Sequence, residues 1–210
     1  MYLPLQFKEE RPQVLRALMR GAPLASLVVA TEQGLEANLV PLLLREVGEE
    51  LVLVGHLAHA NPIWQQPIRG EALALFAGPQ GYISPSAYAS KREHGKVVPT
   101  WNYVAVHAHG SLRWVHDDRW LESLLEELTN EHEAGRAHPW RVSDAPEPFT
   151  RGLRSAIVGL ELTITRLEGK LKLGQNRSLA DRESVIAELR HAGDEASLAL
   201  AVAMQQALGG

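Results

Sequence analysis

Three prolines, Pro79, Pro85 and Pro99, divide the stretch from Gly78 to Gly110. Proline fixes φ and has no ladder N–H, so this stretch is neither one continuous helix nor one central strand. Behind the last proline the pattern changes to strict alternation. Val104, Val106, Ala108, Leu112 and Trp114 share one parity, and Tyr103, His107, His109, Ser111 and Arg113 the other. A period of two over this length predicts one long strand with a dry face and a wet face.

Four further runs, Ser26 to Thr31, Ala37 to Leu44, Leu51 to Leu57 and Ala72 to Ala77, are apolar on both parities and separated by short turns such as Glu32-Gln33-Gly34 and Gly48-Glu49-Glu50. Close spacing predicts antiparallel hairpins. Strands apolar on both sides need two covers: a barrel interior on one face, and a helix or a partner subunit on the other. From Ala156, Val158, Leu160, Leu162 and Ile164 alternate with Gly159, Glu161, Thr163 and Thr165, which predicts a half-buried strand closing the barrel. The fold class expected is therefore α+β, an antiparallel β-barrel with peripheral helices.

The helices are marked by caps and by apolar spacing. Pro12 opens a run with Val14, Leu15 and Leu18 that ends at Gly21. Asp117 and Asp118 precede a stripe of Trp120, Leu121, Leu124, Leu125 and Leu128. Glu133 to Pro148 reads as a loop, and Phe149 to Ser155 as a helical turn or two. Ser178 and Asp181 form a capping pair before Val185, Ile186 and Leu189, with Gly193 as the stop, and a last helix is expected over Ala196 to Leu208. With 210 residues the chain is expected to form a single domain over residues 1–210, with the C-terminal helices 178–208 as an appendage.

Composition narrows the chemistry. A net charge of -4 gives no global attraction to phosphate backbones or anionic membranes, so nucleic-acid binding would need a local basic patch. The absence of cysteine excludes disulfides, thiolate catalysis and Cys-ligated metals. The N-terminus has no secretory pattern and no stretch reaches the roughly 20 apolar residues of a membrane span. A cytoplasmic location and no membrane partner are the expectations.

Four constellations carry chemistry. In Gly55-His56-Leu57-Ala58-His59-Ala60-Asn61-Pro62, a strand end runs into a proline-initiated turn capped by Asn61, and free N–H groups with His56, His59 and Asn61 would suit a phosphate. A capped turn with incidental histidines is the plainer reading. Ser84, Ser86, Tyr88, Ser90 and Lys91, with Thr100, Trp101, Asn102 and Tyr103 beyond, offer hydroxyls, an amide, rings and a cation. That set suits the edge and face of a flavin; the plainer reading is a Ser/Pro loop with a buried Trp-Tyr pair. His107 and His109 share a strand face but the sequence shows no third ligand, so no metal is expected. In Glu168 to Arg177, Lys170, Lys172 and Gly174 share one side, and this segment after the strand reads either as an anion contact or as a solvated basic turn.

The motifs MYLPLQFKEERP (1–12), GLEANLVPLLL (34–44), GHLAHANPIW (55–64), YISPSAYASKREHGKVVPTWNYVAVHAHG (82–110) and LEGKLKLGQNR (167–177) resemble the PaiB-type, FMN-binding negative transcriptional regulators. That family is similar in fold to the pyridoxamine-phosphate-oxidase-like flavoproteins. The resemblance implies an FMN-binding split β-barrel of six strands and a homodimer with FMN at the subunit interface. It also implies a role as repressor, with DNA as the inherited partner. By the same resemblance His56, His59 and Asn61 would contact the FMN phosphate. Ser84, Ser86 and Lys91 would lie near the isoalloxazine, approached by Thr100, Trp101, Asn102 and Tyr103, with Lys172, Gln175 and Asn176 bordering the cleft. The chain carries His59, Leu39 and Gly174 where the family pattern commonly has Arg, His and Ser. An FMN-dependent oxidoreductase acting on a small molecule is the alternative function, and a haem-binding split barrel using His107 or His109 a further one.

Overall fold

The computed structural model describes residues 1–209. In chain order the elements are β1 (Lys8–Glu9), α1 (Pro12–Gly21), β2 (Leu24–Thr31), β3 (Gly34–Pro41), β4 (Leu43–Val47), β5 (Glu50–Ala58), β6 (Ala72–Ile83), β7 (Thr100–Val115), α2 (Asp118–Glu133), α3 (Glu147–Arg154), β8 (Ile157–Lys172), α4 (Leu179–Ala192) and α5 (Glu195–Gln206). The strands form one sheet in the order β3-β2-β6-β7-β8-β5-β4, with β1 paired to β8. The pairings of β2 with β3 and β6, and of β5 with β4 and β8, are antiparallel. This is the α+β class and antiparallel sheet that the alternation predicts.

Three boundaries differ from the sequence reading, each for a local reason. The run Ala37 to Leu44 is two strands, because Leu42 turns its N–H away to Pro23 O at 2.9 Å. β6 continues through Pro79 to Ile83; its ladder with β2 ends at Leu75, so the proline falls where β2 no longer asks for an N–H. β8 extends over 16 residues to Lys172, so the first half of the basic segment expected after the strand, Glu168 to Lys172, is part of it. Eight strands replace the six implied, partly because of the break at Leu42 and the two-residue β1.

The chain gathers into two compact units, one from Met1–Ala22, Phe76–His107 and Glu168–Gly210, the other from Pro23–Leu75 and Ala108–Leu167. The first has a core of Ile83, Tyr88, Val104 and Leu173 with Val185 and Ile186 of α4 and Leu200 and Met204 of α5. In the second, α2 lays Leu124 and Leu128 on Val52 and Val54 of β5. Asp117 caps α2 by accepting the Trp120 N–H at 2.7 Å. Arg154 of α3, only 7% exposed, grips α2 through Asp118 at 2.6 and 2.8 Å and Glu122 at 3.0 Å. Its hydrogen bonds hold the Asp118 carboxyl below its ordinary range.

Two glycines are set by close approach. At Gly110 a Cβ would stand 2.1 Å from the Thr163 carbonyl oxygen, and at Gly159 it would enter the Trp120 ring at 2.3 Å. Backbone cannot yield as a side chain can. Gly110→Ala is therefore expected to destabilise the fold by about 3 kcal/mol, read as a lower urea midpoint, with the exposed Gly152→Ala close to neutral as the control.

Candidate functional site

The first unit contains a small cavity of about 120 Å³ lined by Thr100 and Asn102 from β7, Lys172 from β8, Asn176 and Arg177 from the turn after it, and Phe7, Tyr88 and Gly174. No carboxylate lines it. Strand alternation builds the floor: Thr100 and Asn102 share one side of β7, and Asn102 is 3% exposed with its amide nitrogen donating to Met204 Sδ at 3.4 Å. Lys172 Nζ donates to Thr100 Oγ1 at 2.6 Å and to the Trp101 carbonyl. Burial pushes the Lys172 pKa down, and Lys170 and Arg177 push the same way against Tyr103. The ammonium also lies 5.9 Å from the Tyr103 ring centroid.

Arg177 lies over the Tyr88 ring at 5.0 Å. Burial raises the Tyr88 pKa, with Asp181 adding and Arg177 opposing, so the phenol keeps its proton as a donor. Gly174 turns the chain at φ +83°, a left-handed conformation that a serine would adopt only with strain, which accounts for glycine at that position. Two cations, two amides and two hydroxyls converging without an acid can hold an anion the size of a phosphate group. The flavin phosphate fits this donor set; a whole flavin exceeds the cavity. Beside it Trp101 and Tyr82, each more than half exposed, meet edge to face at 6.1 Å and offer an open aromatic surface.

The other expected residues have local employment. Gln175 clamps β8, accepting the Leu173 N–H at 2.8 Å and donating to Leu171 O at 2.6 Å. Ser84 caps a 3-10 turn by accepting the Ser86 N–H at 3.2 Å, and Lys91 donates to Ser86 Oγ at 2.9 Å. These three form a self-satisfied group on the surface of the same unit. In the second unit, the helix expected after Asn61 is a four-residue 3-10 turn, Pro62–Gln65, too short to present a helix dipole. Asn61 Oδ1 accepts the Ile63 N–H and its amide donates to Asn38 at 2.8 Å. His59 packs on Trp64 at 4.7 Å. His56 pairs in register with Gly159, on the stretch of β8 that faces Trp120 of α2. Of the trio, His56 lines a cavity in this unit that neither His59 nor Asn61 lines.

Sequence reading named Tyr88 in the set suited to a flavin but passed over Arg177 and Phe7 as site residues. Arg177 was legible, adjoining Asn176 in the basic motif; Phe7 carried no signal, since only tertiary packing brings it to the cavity.

Residues 1–166 match the family described as "Putative FMN-binding domain". The chain belongs to this FMN-binding family. A protein of Bacillus subtilis named protease synthase and sporulation protein PAI 2 is 32% identical, the match covering 91% of this chain and 90% of that one, which places the chain in the PaiB-type branch that the motifs implied. An uncharacterized protein of Emericella nidulans is 33% identical over 96% of this chain and 95% of its own. Among solved structures, the FAD and heme binding protein from Mycobacterium smegmatis superposes with a TM-score of 0.57 at 18% identity, covering 86% of this chain and 79% of that one. The flavocytochrome Anf3 from Azotobacter vinelandii gives 0.55 at 14% identity, covering 85% and 74%. The fold of this FMN-binding family member is thus a split barrel, shared with proteins of low sequence identity. No helix among the described residues is long and apolar enough to cross a membrane.

The cavity wall rests on one buried acid. Asp181, 4% exposed, accepts the Ser90 N–H and hydroxyl, both at 2.9 Å. Burial works to raise its pKa, but these donors with Ser178 and Arg177 outweigh it, and the carboxyl titrates below its ordinary value. Its stabilisation is therefore full above the unfolded-state pKa and is lost as pH falls through the lower folded one. Asp181→Asn is expected to cost about 1–3 kcal/mol at neutral pH, with the gap to wild type shrinking below about pH 4, as read from urea unfolding at several pH values.

Proposed function

We propose that this chain binds FMN in its first unit, with the phosphate in the acid-free cavity of Lys172, Arg177, Thr100 and Asn102, and acts as a flavin-dependent regulator. The observation that carries the reading is the cavity's donor set: a half-buried ammonium and a guanidinium in a lining that contains no carboxylate. Bound FMN would supply one- and two-electron redox chemistry and visible absorption. The chain's own residues do the rest. Lys172 and Arg177 hold the dianion, Tyr88 and Asn102 donate to its remaining oxygens, and Trp101 with Tyr82 offers rings against which a flat heterocycle can lie.

The regulatory part follows the name of the Bacillus relative and the resemblance to PaiB-type repressors. A net charge of -4 favours action through a partner or a local contact over broad DNA attraction. The partner proposed first is a second copy of the chain. β3 stands at the end of the strand order and turns Leu35 and Leu39, 79% and 68% exposed, outward with Ala37. Such an apolar edge invites pairing or burial.

Titration of the purified protein with FMN, followed by flavin absorption and fluorescence quenching, is expected to saturate at one flavin per chain. Lys172→Ala should weaken binding about tenfold or more, the scale of a lost charged hydrogen bond, while His59→Ala, outside the cavity, should not. Unchanged affinity in Lys172→Ala would overturn the placement, and no binding by the wild type would overturn the function. Light scattering is expected to give a two-chain mass, and Leu39→Lys to shift it toward one.

A further inference from the structure

The second unit holds a cavity that the flavin reading leaves unused. It measures about 370 Å³ and is walled by Pro41, by Leu125 and Leu128 of α2, and by Trp140 beyond the helix, with His56 of β5 and Thr129, His132 and Glu133 of α2 supplying its polar edges. Two of these polar groups have a definite state. Glu133 is spent: one oxygen accepts the Trp140 N–H at 3.0 Å and the other pairs with Arg136 at 3.0 Å. The first of these bonds is donated by the Trp140 backbone and anchors the chain there, with the residue 47% exposed. His56 is the opposite case. Its Nδ1 is shut away from solvent without a hydrogen-bond partner, while the ring itself lines the cavity. Burial lowers its pKa, so the imidazole is neutral near pH 7 and keeps one donor and one acceptor.

Unpartnered buried polar groups are uncommon and each asks for an explanation. Here the ring that carries the unpartnered Nδ1 lines a largely apolar cavity of the size that takes small molecules. We propose that this cavity is a second ligand site, distinct from the flavin site, for a small neutral aromatic molecule carrying one hydroxyl, a phenol in its simplest form. The indole of Trp140 and the aliphatic side chains of Leu125 and Leu128 receive the ring. His56 receives the hydroxyl, which can donate or accept as the tautomer requires. A neutral ligand is proposed because neither Glu133, already paired with Arg136, nor His56, kept neutral by burial, offers a charged partner. The volume admits one or two fused rings. In a flavin-dependent regulator such a site is where a small-molecule signal would enter, and this last step rests on the function proposed above; the site itself does not.

The test is calorimetric titration of the full chain with 4-methylphenol, with toluene and 4-methylbenzoate as the matched probes lacking the hydroxyl or bearing a charge. Saturable 1:1 binding of 4-methylphenol with Kd below about 1 mM is expected, the range open to a ligand of this size. Toluene should bind about tenfold more weakly, the scale of one hydrogen bond to a buried partner, and the benzoate not at all. His56→Phe should bring 4-methylphenol down to the level of toluene, and Trp140→Ala should weaken both. In the wild type, 4-methylphenol should shift the His56 ring resonances in NMR, a readout that needs no variant. FMN titration of His56→Phe separates the two sites: unchanged flavin affinity is expected, and its loss would return His56 to the flavin site and overturn the proposal. Failure of 4-methylphenol to saturate, or equal binding in wild type and both variants, would overturn it as well.

Discussion

At Gly110 the backbone of β7 passes so near Thr163 of β8 that one methyl group would overlap the carbonyl. Much of the architecture depends on that closeness. β7 and β8 are 16 residues each, and both pass from one compact unit to the other, β7 after His107 and β8 after Leu167. A side chain at Gly110 would force the two strands apart where they must run on, so the long alternating strands are usable only because one residue has no Cβ. Gly159 does the same for the helix layer, letting Trp120 and Leu121 of α2 lie directly on the strand. Close packing of this kind is where a domain of this size gains stability, because each filled contact adds to the apolar area removed from water.

Charge is sorted as strictly as volume. In the first unit, the buried Asp181 carboxylate is held by the Ser90 N–H and hydroxyl and lies outside the lining of the cavity that Lys172 and Arg177 help to form. In the second, Glu133 and Arg136 answer one another and His56 is kept neutral by burial. The two cavities therefore differ in the donors they present. The difference arises from which residues are desolvated and which are already bonded, since burial penalises a charge unless a partner holds it.

The strands, the helix starts and the family were legible in the amino-acid sequence, because period-two alternation, proline and glycine stops and side-chain caps act over a few residues. Asp117, Ser178 and Asn61 cap as their types and positions predict. Length was less legible. β6 runs past Pro79 and β8 into the basic motif, since a strand ends where its ladder ends, and the ladder belongs to other parts of the chain.

The candidate site divides along the same line. Thr100, Asn102, Lys172 and Asn176, chosen from residue type, do meet in one cavity, because two strands with fixed side-chain parity bring them there. His56, His59 and Asn61, equally suited by type, separate: His56 lines the cavity beside α2, His59 leans on Trp64, and Asn61 ties to Asn38. Sequence by itself determined the fold class, the caps and the donors available to an anion, all properties of residue type and spacing. Tertiary structure alone decided which donors are free, because a side chain's chemistry depends on what it already touches, and that is settled by residues far away in the chain.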